Sequence, residues 1–200
     1  EPAAARYFRA AIAYQRAHRW RDSSDAFERG VALHGLSTSW LHRLGTARRQ
    51  TGDWAGTAAL YRRALELEDG PTFHFNLGFA LSKLEEWPEA VAEYEAAIFR
   101  SRGRADWHFR LGMAHERTGS PVTAVHPRLG LVRTNECNLP AAVSAYERSI
   151  ELDPTDARVW MRLGDARERL GRLEAARDAF AEAARLRPDD PQALHRYGRA

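Results

Sequence analysis

Trp160-Met161-Arg162-Leu163-Gly164, followed by Gly171, Ala176, Phe180, Ala183 and Pro188, is the stretch that decides the fold. Two helix-forming runs flank Gly171, and Pro188 ends the second because proline lacks an amide N–H and holds φ fixed. Small side chains at Gly164, Ala176 and Ala183 let two antiparallel helices approach closely, and Phe180 fills the space beside them. Residues 157–190 therefore read as helix, turn, helix.

The same pattern recurs along the chain. Leu44-Gly45, Leu77-Gly78, Leu111-Gly112 and Leu163-Gly164 stand 33, 34 and 52 residues apart, and the last interval is a step of 34 plus 18 extra residues. Extending the frame places Ala11 and Gly198 at equivalent anchors. Nine residues after the anchors, with the extra segment discounted, stand Trp20, Trp54, Trp87, Leu139 and Leu173; twelve after stand Ser23, Thr57, Ala90, Ala142 and Ala176. Sixteen after stand Phe27, Tyr61, Tyr94, Tyr146 and Phe180, and nineteen after stand Gly30, Ala64, Ala97, Ser149 and Ala183. Pro154 closes the fourth unit as Pro188 closes the fifth. A helix pair of this kind cannot bury its apolar face alone, so neighbouring pairs must stack. The frame divides the chain into repeats at about 4–37, 38–70, 71–104, 105–156 with an insertion at 120–137, 157–190 and a partial sixth at 191–200. A start at Glu1-Pro2 and an end within a first helix lead us to expect a fragment of a longer protein.

On these residues the chain resembles the tetratricopeptide repeat family over nearly its whole length. The resemblance implies an all-α fold: a right-handed superhelical solenoid of antiparallel helix pairs, five repeats plus a partial sixth, with first helices lining the concave side. The departures are local. Ala11 replaces the first anchor glycine, and Ser23 and Thr57 replace an alanine. A tyrosine usual three residues after the anchor is present as Tyr14 but becomes Arg48, Leu81, His115 and Arg167.

Composition excludes several function classes. A chain of 200 residues, 44% hydrophobic and 28% charged, packs a core, and it has no run of eighteen apolar residues that would span a membrane. No secretory leader pattern opens it, and the single Cys137 cannot form an intrachain disulfide. A cytoplasmic location in a bacterial cell is the expectation. The net charge is +3, yet Lys83 is the only lysine among 30 basic side chains. Arginine's planar fork suits carboxylates and phosphates better than an ammonium does, so the placement of the arginines matters.

Two residues before the anchors stand Arg9, Arg43, Asn76, Arg110, Arg162 and Arg196; five after stand Arg16, Gln50, Lys83, Arg117 and Arg169. Seven residues make almost two helical turns, so both sets lie on one face of the first helices. Phe75 and Phe109, three residues before their anchors, supply aromatic footing beside them. The residues Arg9, Arg16, Arg43, Asn76, Lys83, Arg110, Arg117, Arg162, Arg169, Phe75 and Phe109 form a candidate binding groove. Aligned arginines repel unless an anion or a neighbouring carboxylate compensates. Glu116, Glu168, Asp106 and Asp165 could supply that pairing internally. Within the family, one such groove clamps the terminal carboxylate of chaperone tails. Here Asn76 and Arg110 match that clamp, but His42, Thr46 and Asp106 occupy its remaining positions, so the resemblance does not extend to chaperone tails.

The insertion 120–137 falls at the turn between the helices of the fourth repeat. Its prolines, glycine and β-branched residues argue against helix, and Val122–Val125 and Leu129–Arg133 are set to pair as a short hairpin around Pro127. A surface insertion costs little in closure entropy. Val125, Leu129, Leu131 and Val132 are nevertheless apolar for a solvated loop, which makes them a candidate docking element, including for self-association.

No phosphate loop, dinucleotide fingerprint, nucleophile elbow or paired-histidine zinc helix is present, so no enzyme activity, cofactor or metal is expected of this region. The function expected is a non-catalytic interaction scaffold that binds an acidic or anionic protein or peptide partner. The alternative is an accessory domain of a larger cell-envelope polymer or glycosyl transferase, holding an anionic polysaccharide or mediating oligomerisation. Nucleic acid is disfavoured, because acidic second helices oppose the basic row.

Overall fold

A computed structural model describes residues 3–35, 37–101, 104–118, 125–126, 130–131 and 138–199. Among them are eleven helices: α1 (Ala3–Arg16), α2 (Trp20–His34), α3 (Thr38–Thr51), α4 (Trp54–Leu67), α5 (Pro71–Lys83), α6 (Trp87–Arg100), α7 (Ala105–Arg117), α8 (Leu139–Leu152), α9 (Ala157–Arg169), α10 (Leu173–Leu186) and α11 (Pro191–Arg199). The chain forms two compact units, Glu1–Glu86 and Trp87–Ala200. In the first unit α1 packs on α2, α2 on α3, α3 on α4 and α4 on α5; in the second, each helix from α6 to α11 packs on the next.

The helices stop where the residues require it. Seven residues after the anchor, the turn residue adopts a left-handed backbone in every described case: His18 (φ 56°), Gly52 (φ 77°), Glu85 (φ 62°) and Gly171 (φ 73°). Glycine takes this conformation without cost, whereas His18 and Glu85 carry a Cβ there. The Asp53 carboxylate accepts from the Gly56 amide at 2.9 Å, and Asn138 from the Ala141 amide at 3.3 Å, capping α4 and α8.

At Gly45, Gly112 and Gly164 an aromatic ring lies against the anchor glycine. A Cβ on Gly164 would sit 2.6 Å from Cδ1 of Phe180 and 2.8 Å from its Cζ; Gly112 stands in the same relation to Tyr146, and Gly45 to Tyr61. The first repeat reaches this closeness from the other side. Ala11 replaces the anchor glycine, Gly30 replaces the alanine nineteen residues later, and a Cβ on Gly30 would meet the Phe8 ring. Phe8 in turn stacks flat on Trp40, centroids 4.0 Å apart. The polar substitutes at small positions are satisfied by backbone: Ser23 donates to the Ala11 carbonyl at 3.0 Å, and Thr57 to the Asp53 carbonyl at 2.6 Å. In the second unit Val143, Tyr146, Val159 and Leu163 form the buried centre, with Phe109, Met113 and Trp160 packed at its edge.

Within the insertion, Val125–His126 (β1) and Gly130–Leu131 (β2) pair antiparallel, Val125 opposite Leu131 and His126 opposite Gly130. Val122, Leu129 and Val132 lie outside the described residues.

Candidate functional site

Seen from the anchors, the first-helix face resolves into two rows with different surroundings. In the row two residues before the anchor, Asn76, Arg162 and Arg196 are engaged by side chains of the chain itself. Arg162 on α9 reaches back to Glu116 on α7, Nη1 to Oε2 at 3.5 Å. Arg196 on α11 reaches back to α9, contacting Glu168 at 3.1 Å and lying 3.3 Å from Asp165. In the first unit the Gln15 amide donates to the Arg43 carbonyl at 3.1 Å, and Arg49 donates to the Asn76 side chain at 3.3 Å. In all four cases a residue four after one anchor meets a residue two before the next. The expected internal compensation is thus present at Glu116, Asp165 and Glu168, whereas Asp106 sits with Arg104 instead, at 3.4 Å.

The row five residues after the anchor points outward: Arg16, Gln50, Lys83, Arg117 and Arg169 are all exposed. Two of its cations lie over tryptophans from the preceding repeat. Lys83 Nζ is 5.9 Å from the Trp54 ring centroid and 5.7 Å from that of Phe79, and the Arg117 guanidinium is 5.8 Å from the Trp87 centroid. Such contacts restrict the rotamers of long cationic side chains without removing their charge from solvent.

In the second unit these rows border two adjoining concavities. One, of about 430 Å³, is lined by Glu116, Arg117, Arg162, Asp165, Glu168, Arg169 and Arg196. The other is floored by Phe109, Met113, Met161 and Ala193, rimmed by Arg110, Arg158 and Arg187, and shares Arg162 and Asp165 with the first. The Glu116 side chain is only 8% exposed. Burial pushes its carboxyl above the ordinary range, and the Tyr146 hydroxyl, Arg162 and Arg169 pull it back. Asp165 is likewise pushed up by burial, with Arg196 and Arg162 opposing. The Tyr146 hydroxyl faces Glu116 closely enough to feel its charge but without hydrogen-bond geometry, and Asp165 Oδ1 has none either, despite its ion pair with Arg196.

In the first unit, Arg43 is exposed and borders a separate hollow with Gln15, His42, Thr46 and Phe73. Asn76 lies 3% exposed, its amide donating to the Thr72 carbonyl at 2.9 Å. Arg9 is exposed, and Phe75 and Arg110 are half-buried. Phe109 lies half-buried under the Arg158 guanidinium, 5.7 Å away.

One set of residues escaped the sequence reading. The arginines that replace the usual tyrosine tie consecutive repeats together. Arg48 donates to the Gly56 carbonyl at 2.6 Å and to Glu28 at 2.7 Å; Arg167 donates to the Ala175 carbonyl at 3.0 Å and to Glu147 at 2.9 Å. Each partner acid stands seventeen residues after the previous anchor once the insertion is discounted. His115 occupies the same place, 3.9 Å from Glu95, and burial lowers its proton affinity. Leu81, which can make no such tie, is matched by Arg62, and Arg62 lies 3.8 Å from Glu86 instead. The chain's own covariation at these two positions was the available signal.

Among the described residues no three His, Cys, Asp or Glu side chains gather as a metal site, and no helix is long and apolar enough to cross a membrane. What the surface offers is a set of exposed cations beside a shallow apolar floor, carried on repeated helix pairs: the class of the helical-repeat interaction scaffolds. The family model described as Tetratricopeptide repeat matches residues 8–72, 75–126 and 138–191. The chain belongs to the tetratricopeptide repeat family. Superkiller protein 3 of Schizosaccharomyces pombe is 35% identical over 65 residues, a stretch covering 32% of this chain and 5% of that protein. Among solved structures, MamA from Desulfovibrio magneticus RS-1 superposes with a TM-score of 0.79 at 16% identity, covering 94% of this chain and 97% of that one. YrrB, described as a TPR protein with an unusual peptide-binding site, superposes with a TM-score of 0.75 at 18% identity, over 94% of this chain and 89% of that one. These likenesses establish the fold.

Proposed function

We propose that this chain is a non-catalytic interaction module whose first-helix faces bind an acidic peptide segment of a protein partner. The observation that carries the reading is the outward row: Arg16, Lys83, Arg117 and Arg169 stand at one register position on four first helices, all exposed. Exposed cations favour an anionic partner and also raise its encounter rate. The adjoining floor of Phe109, Met113 and Met161 favours a polypeptide with apolar side chains over a purely ionic polymer. The peptide-binding description of YrrB is in keeping with this reading.

Selection of phage-displayed twelve-residue peptides on the purified chain tests it. Enrichment of sequences rich in aspartate and glutamate, with binding lost in the variant R16Q/K83Q/R117Q/R169Q, is the expected result. Enrichment of basic or uncharged sequences, or unchanged binding to that variant, overturns it. A salt titration adds a second reading: a peptide that also uses the apolar floor loses less affinity with salt than a polyphosphate of equal charge.

A further inference from the structure

We propose that Met113 and Met161 form a paired oxidation site: a peroxide converts both thioethers to sulfoxides, and the altered floor weakens its hold on the bound peptide. The change acts on the acidic-peptide site and so rests on that reading.

The chain has only two methionines, and both border one hollow. Met113 stands on α7 one residue after its anchor, and Met161 on α9 three residues before its own. Neither position requires methionine for the fold. The first is Ile12, Thr46, Phe79 and Asp165 in other repeats, and the second is Phe8, His42, Phe75, Phe109 and His195. Both methionines are half-buried, on the wall of a concavity of about 570 Å³ that also takes in Phe109, Ala157 and Ala193. A small oxidant therefore reaches them from the hollow. The core beneath, centred on Val143, Tyr146, Val159 and Leu163, holds no sulfur to be damaged.

The chemistry is that of a thioether. The sulfur lone pair attacks one peroxide oxygen and the O–O bond breaks. That oxygen stays on sulfur, and the other leaves with the proton as water, or as an alcohol from an organic peroxide. Sulfur loses two electrons and the peroxide gains them. A flexible apolar side chain thereby becomes a polar one. Among the described residues lining the hollow, Phe109 is then the one large apolar side chain left. An apolar side chain of the peptide loses most of its seat, while the exposed cations keep their charge, so affinity falls without vanishing. Methionine sulfoxide reductases, one for each epimer, reverse the change.

The test uses the acidic twelve-residue peptide of highest affinity from the selection, labelled with fluorescein and titrated by anisotropy. Every variant carries C137S, so that the remaining sulfurs are those of Met113 and Met161. Leucine is close to methionine in volume and has no sulfur, so M113L/M161L is expected to bind as C137S does before treatment. After hydrogen peroxide, mass spectrometry is expected to find one added oxygen on each methionine. Treated C137S is expected to bind about tenfold more weakly, as befits one lost apolar contact, and reductase treatment to restore it. M113L/M161L, treated alike, is expected to keep its affinity. Should the double variant be unfolded, M113L and M161L singly carry the same comparison, each losing less on oxidation than C137S. Circular dichroism follows the fold throughout. The proposal is overturned if both sulfurs carry oxygen and affinity is unchanged, if M113L/M161L weakens equally, or if neither sulfur is oxidised under conditions that oxidise free methionine. Loss of the helical signal on oxidation also overturns it, because unfolding then ends binding. In each of these the acidic-peptide reading stands. If no acidic peptide is selected at all, both readings fall.

Discussion

Alanine at Gly164 and alanine at Gly198 are the same substitution at equivalent anchors, and they should act with opposite signs. At Gly164 the new Cβ would lie 2.6 Å from Phe180 Cδ1, in a site where Phe180 has no exposed surface. Carbon atoms at rest stand about 3.5–4.0 Å apart, so the ring must withdraw by about 1 Å. Overpacking of that kind costs about 1–3 kcal/mol. Replacing glycine inside a helix returns about 1 kcal/mol of backbone propensity, so the net effect of G164A is a loss of up to about 2 kcal/mol. Gly198 has no atom within 4 Å of a built Cβ. There only the propensity acts, reduced by fraying in the last turn of α11, and G198A should gain a few tenths, roughly, to 1 kcal/mol. Hydrogen exchange read by mass spectrometry on peptides from α9, α10 and α11 reports each locally, which suits a repeat array that need not unfold in one step. The double variant G164A/F180L adds a control: the leucine should cost less in the alanine background than alone. If G164A protects α9 and α10 as G198A protects α11, the interlock between anchor and ring is not what holds the pairs together.

Three further outcomes follow from particular residues. Tyr61 is buried with no partner for its hydroxyl, and burial pushes its ionisation up to about 12, so Y61F should stabilise the chain by about 1 kcal/mol in urea titrations. The unfolded phenol ionises first, so wild-type stability should fall between about pH 10 and 12, and Y61F should keep part of what is lost; equal alkaline loss in both would contradict the burial. Glu85 holds φ at 62° where Gly52 and Gly171 stand in other repeats, so E85G should gain up to about 1 kcal/mol and G52A should lose a similar amount, read by thermal unfolding. Burial lowers the proton affinity of His115, so the unfolded state binds its proton more readily and stability should fall as pH drops below about 6.5. Desolvation shifts Glu95, Glu116 and Asp165 upward, and they act in the opposite sense, so the comparison is with H115Q, which should flatten the acid limb.

The repeat frame was legible because it is written in local spacing. A small anchor, two further small positions and an aromatic recur together, and the structure realises the close approach they mark at Gly45, Gly112 and Gly164. Even the exception at Ala11 carried its compensation in the sequence, nineteen residues on at Gly30. The first-helix face was legible as a register but not as a division of labour. Arg162 and Arg117 look alike in a list of basic positions. One faces Glu116 on the preceding first helix and the other faces solvent, a difference set by which residue the stacking brings alongside. Arg162 and Glu116 stand 46 residues apart, with the insertion between them, and only the stacking of α7 and α9 makes them neighbours. The ties from Arg48 to Glu28 and from Arg167 to Glu147 were hidden for a related reason. A departure from the family's tyrosine reads as a loss until its partner in the preceding repeat is found. The insertion's apolar residues Val125, Leu129, Leu131 and Val132 keep their standing as a docking proposal, and sedimentation of the chain with and without 120–137 addresses it.

A peptide partner on the first-helix face would lie beside reporters that the chain itself carries. Its two methionines, Met113 and Met161, both border the apolar floor beside the charged concavity. With both methyl groups labelled with carbon-13, the spectrum reduces to two resonances, each sensing that surface. Titration with the selected acidic peptide should move both, saturating at the concentration where anisotropy saturates. Saturated binding with both resonances unmoved would place the peptide elsewhere and rule out the first-helix face of the second unit as its seat.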